Sequence, residues 1–145
     1  MLFVDTEFNG FGGQLLSMGI CSDQHDHEFY AAIYPPKEIH PWVKEHVMPL
    51  ILVDYISYGD FQHKLVQYLM KHADEVIVAD WAEDLSHLLQ CLVGPNGFCF
   101  KVFPKLQLIN SGKLYPKIPH NAISDARALH YTPRFHIMQY QMLVL

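Results

Sequence analysis

Residues 2 to 8 read Leu-Phe-Val-Asp-Thr-Glu-Phe, and no other stretch limits the possible folds as tightly. The run is short and apolar at its start, as a buried strand would be. Side chains two apart on a strand share a face, so Asp5 and Glu7 aim at one spot. With Leu2, Phe3 and Val4 beside them the strand belongs at the centre of a sheet, where unpaired carboxylates are costly. Two anions placed there call for cations. A solvent-facing strand would tolerate the same alternation harmlessly, and that is the bland alternative.

The rest of the chain supplies a sheet for that strand. Gly10, Gly12 and Gly13 make a turn, and residues 14–21 and 27–34 read as two further strands of an antiparallel meander, stopped by Pro35-Pro36. Pro41 opens a short helix through Val47. Phe61, Leu65, Tyr68 and Leu69 recur at helical spacing behind a polar start at residues 57–60, which predicts an amphipathic helix to about His72. Val76-Ile77-Val78 is a compact buried strand. Leu85, Leu88, Leu89 and Leu92 form one helical stripe ended by Gly94-Pro95, and residues 106–109 make a fifth strand. A helix over residues 121–130 follows, and Thr132-Pro133 open another. A meander followed by alternating helix and strand implies an α/β fold, a mixed five-stranded sheet flanked by helices in the ribonuclease H-like pattern.

Length and composition bound this reading. At 145 residues, half of them hydrophobic, the chain holds one core, so residues 1–145 are read as a single domain. Aromatics make up 13% of it and no repeat or linker interrupts it. No stretch approaches the roughly 18 apolar residues of a membrane span, and the start carries no basic leader, so a cytoplasmic protein without membrane contact is expected. Cys21, Cys91 and Cys99 are an odd number without CxxC spacing and read as reduced core residues. The net charge of −5 argues against a nucleic-acid partner at first sight. Carboxylates filled by divalent cations reverse the local sign, however, and Lys101, Lys105, Lys113, Lys117, Arg127 and Arg134 gather in the last third.

More acids point the same way. In the helix near residue 125, Ala122, Ala126 and Leu129 define the apolar stripe and Asp125 lies within it, an acid facing the core. Arg127 or a buried lysine could neutralise it; with Asp5 and Glu7 it suggests a shared divalent metal. A fourth acid should come from the junction 79–84, since the end of a buried strand is where sheet proteins place ligand groups. Asp80, Glu83 and Asp84 compete there; Asp84 at the helix start and Asp80 at the strand end are the better anchored, and either could instead cap the helix or face solvent. His120 follows Pro119 in a loop, free to face a substrate. His25 and His27 alternate as zinc ligands could, but their segment is polar and lacks further ligands.

Asp5-Thr6-Glu7-Phe8, the junction ending in Asp84, and His120-Asn121-Ala122-Ile123-Ser124-Asp125-Ala126 together resemble the three motifs of DEDDh 3′-5′ exonucleases. The HxxxxD element is the most specific of these. Within that family the chain is most similar to the small exoribonucleases called RNase AS. The opening residues 3–20, the segment Pro41-Trp42-Val43-Lys44-Glu45-His46-Val47-Met48-Pro49 and residues 120–129 carry the likeness, which is looser between 50 and 118. It implies that Asp5, Glu7 and Asp125 hold one metal, that Asp84 supports a second, and that His120 is the general base. Asp80 falls where many relatives carry a small amide residue that contacts substrate, while Trp81 and Glu83 depart from the pattern. The chain is short for the family, which leaves room for a homodimer.

The activity so implied is hydrolysis of a single-stranded nucleic acid, RNA favoured, from its 3′ end to nucleoside 5′-monophosphates. Two Mg²⁺ or Mn²⁺ ions roughly 4 Å apart would clamp the phosphodiester. A neutral histidine suits proton removal from water at cellular pH. Phe8, Asn9 and Trp81 are candidates for contacting the terminal nucleotide, with core packing the alternative for the two aromatics. Two other readings differ in class. A non-catalytic module would keep the fold and grip a 3′ end or a protein, and an endonuclease of the ribonuclease H type would cut circular substrates.

Overall fold

The computed structural model describes residues 1–24 and 27–131. Arg134, the Thr132-Pro133 helix and the His25 half of the zinc pair lie outside the described residues. Among the described residues no helix is long and apolar enough to cross a membrane.

Six strands form one mixed sheet in the order β4-β3-β2-β1-β5-β6. The meander is β1 (Leu2–Phe8), β2 (Leu15–Ser22) and β3 (Glu28–Ile33), paired antiparallel. β5 (Val76–Ala79) lies parallel to β1, and β6 (Lys105–Leu108) parallel to β5. The sheet exceeds the expected five strands by β4 (Tyr55–Ile56), which pairs parallel with the far side of β3. Two residues are too few for any alternation to show. β1 is central, with β2 on one side and β5 on the other.

Helices cover both faces because β1 is apolar on both at its start. Leu2 and Val4 pack under α2 (Tyr58–Lys71) and α3 (Ala82–Cys91), where Phe61, Leu65, Leu69, Leu88 and Cys91 are almost fully buried. Each such aromatic or leucine contributes about 1.5–3 kcal/mol of burial. Ser57 starts α2 as its N-cap, accepting from Asp60 N at 3.1 Å. On the opposite face Phe3 packs with Ile123, Ala126 and Leu129 of α4 (Ala122–His130). Beside α4, Val43 and Val47 of α1 (Pro41–His46) and its C-cap join Ile51 over Leu16 and Ala32.

Two expectations need correction. The buried stripe of α3 is Asp84, His87, Leu88 and Cys91, with Leu89 exposed. The helix starts at Ala82 and is turned so that its acid Asp84, rather than Leu89, faces inward. Cys21 and Cys91 are buried thiols as expected, whereas Cys99 is exposed in the loop after α3.

Candidate metal centre

The cleft lies at the C-terminal end of β1, where β5 stops pairing. β5 matches only Leu2 and Phe3 of β1, while β2 continues alongside through Phe8. Past that point the backbone of β1 has no strand on one side, and Asp84 takes its place. The Thr6 N–H donates to Asp84 Oδ1 at 3.0 Å and the Thr6 hydroxyl donates to the same oxygen at 2.6 Å. A side chain from the first turn of α3 thus satisfies a donor that a sheet partner would otherwise take.

Asp125 arrives from the other face of the sheet. β2 presents Gly19 directly opposite Asp5, and a Cβ there would come within 2.3 Å of the Ile123 nitrogen and 2.5 Å of the Ala122 carbonyl carbon. Only glycine lets the first turn of α4 rest on the strand, which sets Asp125 over Asp5 and Glu7. Asn121 fixes that turn: its side-chain oxygen caps Ser124 N at 3.1 Å, and its amide donates to Tyr30 Oη at 3.0 Å and to the Leu50 carbonyl at 2.6 Å. Arg127 does not neutralise Asp125; it makes a bidentate pair with Glu28 on the outer side of the helix.

Asp5, Glu7 and Asp125 each offer a carboxylate oxygen within 4.8 Å of the other two. Asp84 lines the same cleft. Asp5 Oδ2 and Asp84 Oδ2 are both buried and have no hydrogen-bond partner among the described residues. Ser17, opposite Glu7 on β2, is buried with its hydroxyl equally unpartnered among those residues. Orphaned anionic oxygens are rare in folded interiors, and hard oxygen donors in this number suit Mg²⁺ or Mn²⁺. The residues fit a divalent ion.

Electrostatics describe the same strain. Burial pushes the Asp5 carboxyl well above the carboxylate range, helped by Asp84, Glu7, Asp125 and Asp80. Burial raises Glu7 to about 8, with Asp125 and Asp84 adding to it. Asp84 rises to about 7 through burial in spite of its two hydrogen bonds from Thr6, and Asp125 to about 6, again through burial. Near neutral pH these acids cannot all be ionised without a cation among them.

The cleft has a volume of about 780 Å³ and its lining includes Phe8, Asn9, Trp81 and His120 as well as the four acids. His120 is exposed and adopts φ 62°, the left-handed region that non-glycine residues seldom occupy. Phe8 is half-buried with its ring 5.0 Å from His87. Trp81 is 52% exposed and faces the still more exposed Phe11 at 6.4 Å. Asn9 is engaged with its own chain: its amide donates to the Glu38 carbonyl at 2.9 Å and its oxygen accepts from His40 N at 2.8 Å. Asp80 stands outside this lining and accepts from the Ser111 hydroxyl, so it fastens the loop after β6. Of the two acids open at the 79–84 junction, Asp84 is the one in the cleft.

Sequence reasoning missed four contributors. Trp42 and His40 line the cleft from α1 and the residue before it, but α1 is a short helix whose docking site periodicity does not reveal. Glu83 accepts from Gly12 N at 2.8 Å and so holds the glycine turn against α3. Gly19 read only as part of a strand; an interior strand glycine is a recognised sign of close backbone approach. The chain matches no known protein family and no curated protein.

Proposed function

We propose that this chain is a metal-dependent 3′-5′ exonuclease of the DEDDh type on a ribonuclease H-like fold, acting on single-stranded nucleic acid with RNA favoured. One observation carries the reading: the carboxylate of Asp125, on α4, meets those of Asp5 and Glu7 on β1 at one spot although nearly 120 residues separate them in sequence, and the neighbouring Asp84 keeps a buried oxygen unpaired among the described residues. The mixed sheet with helices on both faces agrees with the proposed fold.

Asp5, Glu7 and Asp125 would hold one divalent cation, and Asp84 with the second oxygen of Asp5 another. Two such ions supply an activated water and neutralise charge on the attacked and departing oxygens of a phosphodiester. His120, exposed at the rim, takes the proton from the attacking water. Thr6 holds the Asp84 carboxylate in place through both of its donors. Phe8 and Trp81 offer ring faces to the last nucleotide, and Asn9 shapes the wall through its bonds to Glu38 and His40. The product is a nucleoside 5′-monophosphate.

The test uses 5′-labelled single-stranded RNA and DNA of one sequence, with Mn²⁺ or with chelator. A ladder shortening from the 3′ end, seen only with metal and faster on RNA, is expected, with a circular strand left intact. Full-length strands in the presence of Mn²⁺ would point to a non-catalytic module, and a cut circle to an endonuclease.

A further inference from the structure

A general base must be aimed as well as placed, and His120 has no evident means of staying aimed. It is exposed, sits in a left-handed turn, and no hydrogen bond fixes its ring among the described residues. Bases of this kind are usually oriented by a third group. The contact its ring does make is with Trp42, edge to face, with centroids 5.1 Å apart and planes at 87°. Perpendicular pairs at this distance are the favoured aromatic geometry.

Trp42 is itself held on several sides. His46, one turn later in α1, stacks parallel to the indole at 4.8 Å and 11°, and its Nδ1 lies 2.9 Å from the Trp42 carbonyl oxygen. Val43 and Val47 bury the inner side of the helix under the sheet. Its start is tied to β1, because Asn9, next after the strand, bonds both Glu38 and His40. The same strand that carries Asp5 and Glu7 therefore fixes the helix that carries Trp42. Resting on the exonuclease reading, we propose that Trp42 is a positioning residue: clamped by His46, it holds the His120 ring toward the cleft.

The competing role for an exposed indole in this cleft is direct stacking on a nucleobase, and kinetics separate the two. W42A, W42F, H120A and the W42A/H120A double variant would be compared on a single strand with Mn²⁺, with imidazole resonances of the metal-free proteins followed by NMR. W42A should lower kcat by about tenfold or more, up to the roughly 10²–10⁴ that a placed base contributes, with KM unchanged. W42F should recover most of that loss. In the H120A background W42A should cost nothing further, since the group it acts through is gone. The resonance absent from H120A should lose its ring-current displacement in W42A and keep part of it in W42F. A KM increase that persists in the H120A background, or an unmoved His120 resonance in W42A, would overturn the proposal. If the wild type leaves the strand intact, the exonuclease reading fails by itself, and the resonances still decide whether Trp42 sets the ring.

Discussion

The two halves of β1 share one strand and live in opposite environments. Leu2, Phe3 and Val4 are at most 3% exposed, apolar on both faces, and at Leu2 and Phe3 paired with β2 and β5 together. From Asp5 onward β5 is gone, four acids from the strand itself and two helices crowd together, and two carboxylate oxygens lack partners among the described residues. The first half is built as a core and stabilises the domain. The second crowds acids together, and on the two-metal proposal its stability is deferred until a cation arrives. The step between them is made by ending β5 early, so that α3 begins at the cleft and inserts Asp84 where a strand would have run.

The sharpest way to break this contrast is to make the second half resemble the first. Asp5→Asn removes one of the mutually repelling buried carboxylates, along with a ligand proposed for both ions. Metal-dependent trimming should fall about 10³-fold or more, near 4 kcal/mol of barrier, while the melting temperature of the metal-free protein rises. The trade of stability against function follows that pattern elsewhere. Activity near that of the wild type, or a lower melting temperature, would mean that the repulsion inferred at this end of β1 is not there.

The next effect is on pH. Glu7, Asp84 and Asp125 sit at about 8, 7 and 6 in the folded protein, raised above their ordinary values of 4.5 or 3.8. A raised acid is more easily ionised in the unfolded chain, so the folded state retains protons that the unfolded state releases. The stabilisation is complete below about pH 4 and is lost as pH climbs through 6, 7 and 8. Each retained proton tilts stability by about 1.4 kcal/mol per pH unit. Thermal melts of metal-free protein between pH 5 and 8 should show a falling melting temperature, and saturating Mn²⁺ should flatten the slope because it binds the ionised form. A metal-free melting temperature that is level or rising over this window contradicts the account.

The same divide governs what the sequence discloses. The apolar half of β1, the α2 stripe and the α4 stripe with Asp125 in it are written in periodicity, because burial on one face repeats every 2 or 3.6 residues. Asp5 and Glu7 share that legibility. Asp84 was one of two acids open at its junction until the structure, since the choice depends on how α3 is rotated, and that is set by Thr6 on a strand 78 residues away. α3 shows the same failure in its stripe, where Leu89 is exposed and His87 buried. Trp42 and Gly19 were silent for another reason. Each acts through a surface that approaches it, α4 on Gly19 and His120 on Trp42, and no local pattern encodes an approach.

Thr6 offers the smallest and finest test, because it belongs to both halves of the comparison. Its position on β1 alternates with Asp5 and Glu7, and it is buried on the same face as Leu2 and Val4, yet its hydroxyl serves the acid end. Thr6→Val keeps the shape, the β-branching and the backbone N–H bond to Asp84, and removes only the 2.6 Å hydroxyl bond. Losing a bond to a charged acceptor costs about 1.5–3 kcal/mol when the acceptor is left ionised. Outer partners of metal ligands typically change affinity about 10–100-fold. The variant should therefore need about tenfold more Mn²⁺ for half-maximal trimming and regain the wild-type rate at saturation, with Thr6→Ser close to wild type throughout. Asp5→Asn, by contrast, should not recover at any Mn²⁺ concentration. If Thr6→Val shows an unchanged Mn²⁺ dependence, Asp84 is held well enough by the backbone alone, and the junction between the two halves is a matter of main chain rather than of this side chain.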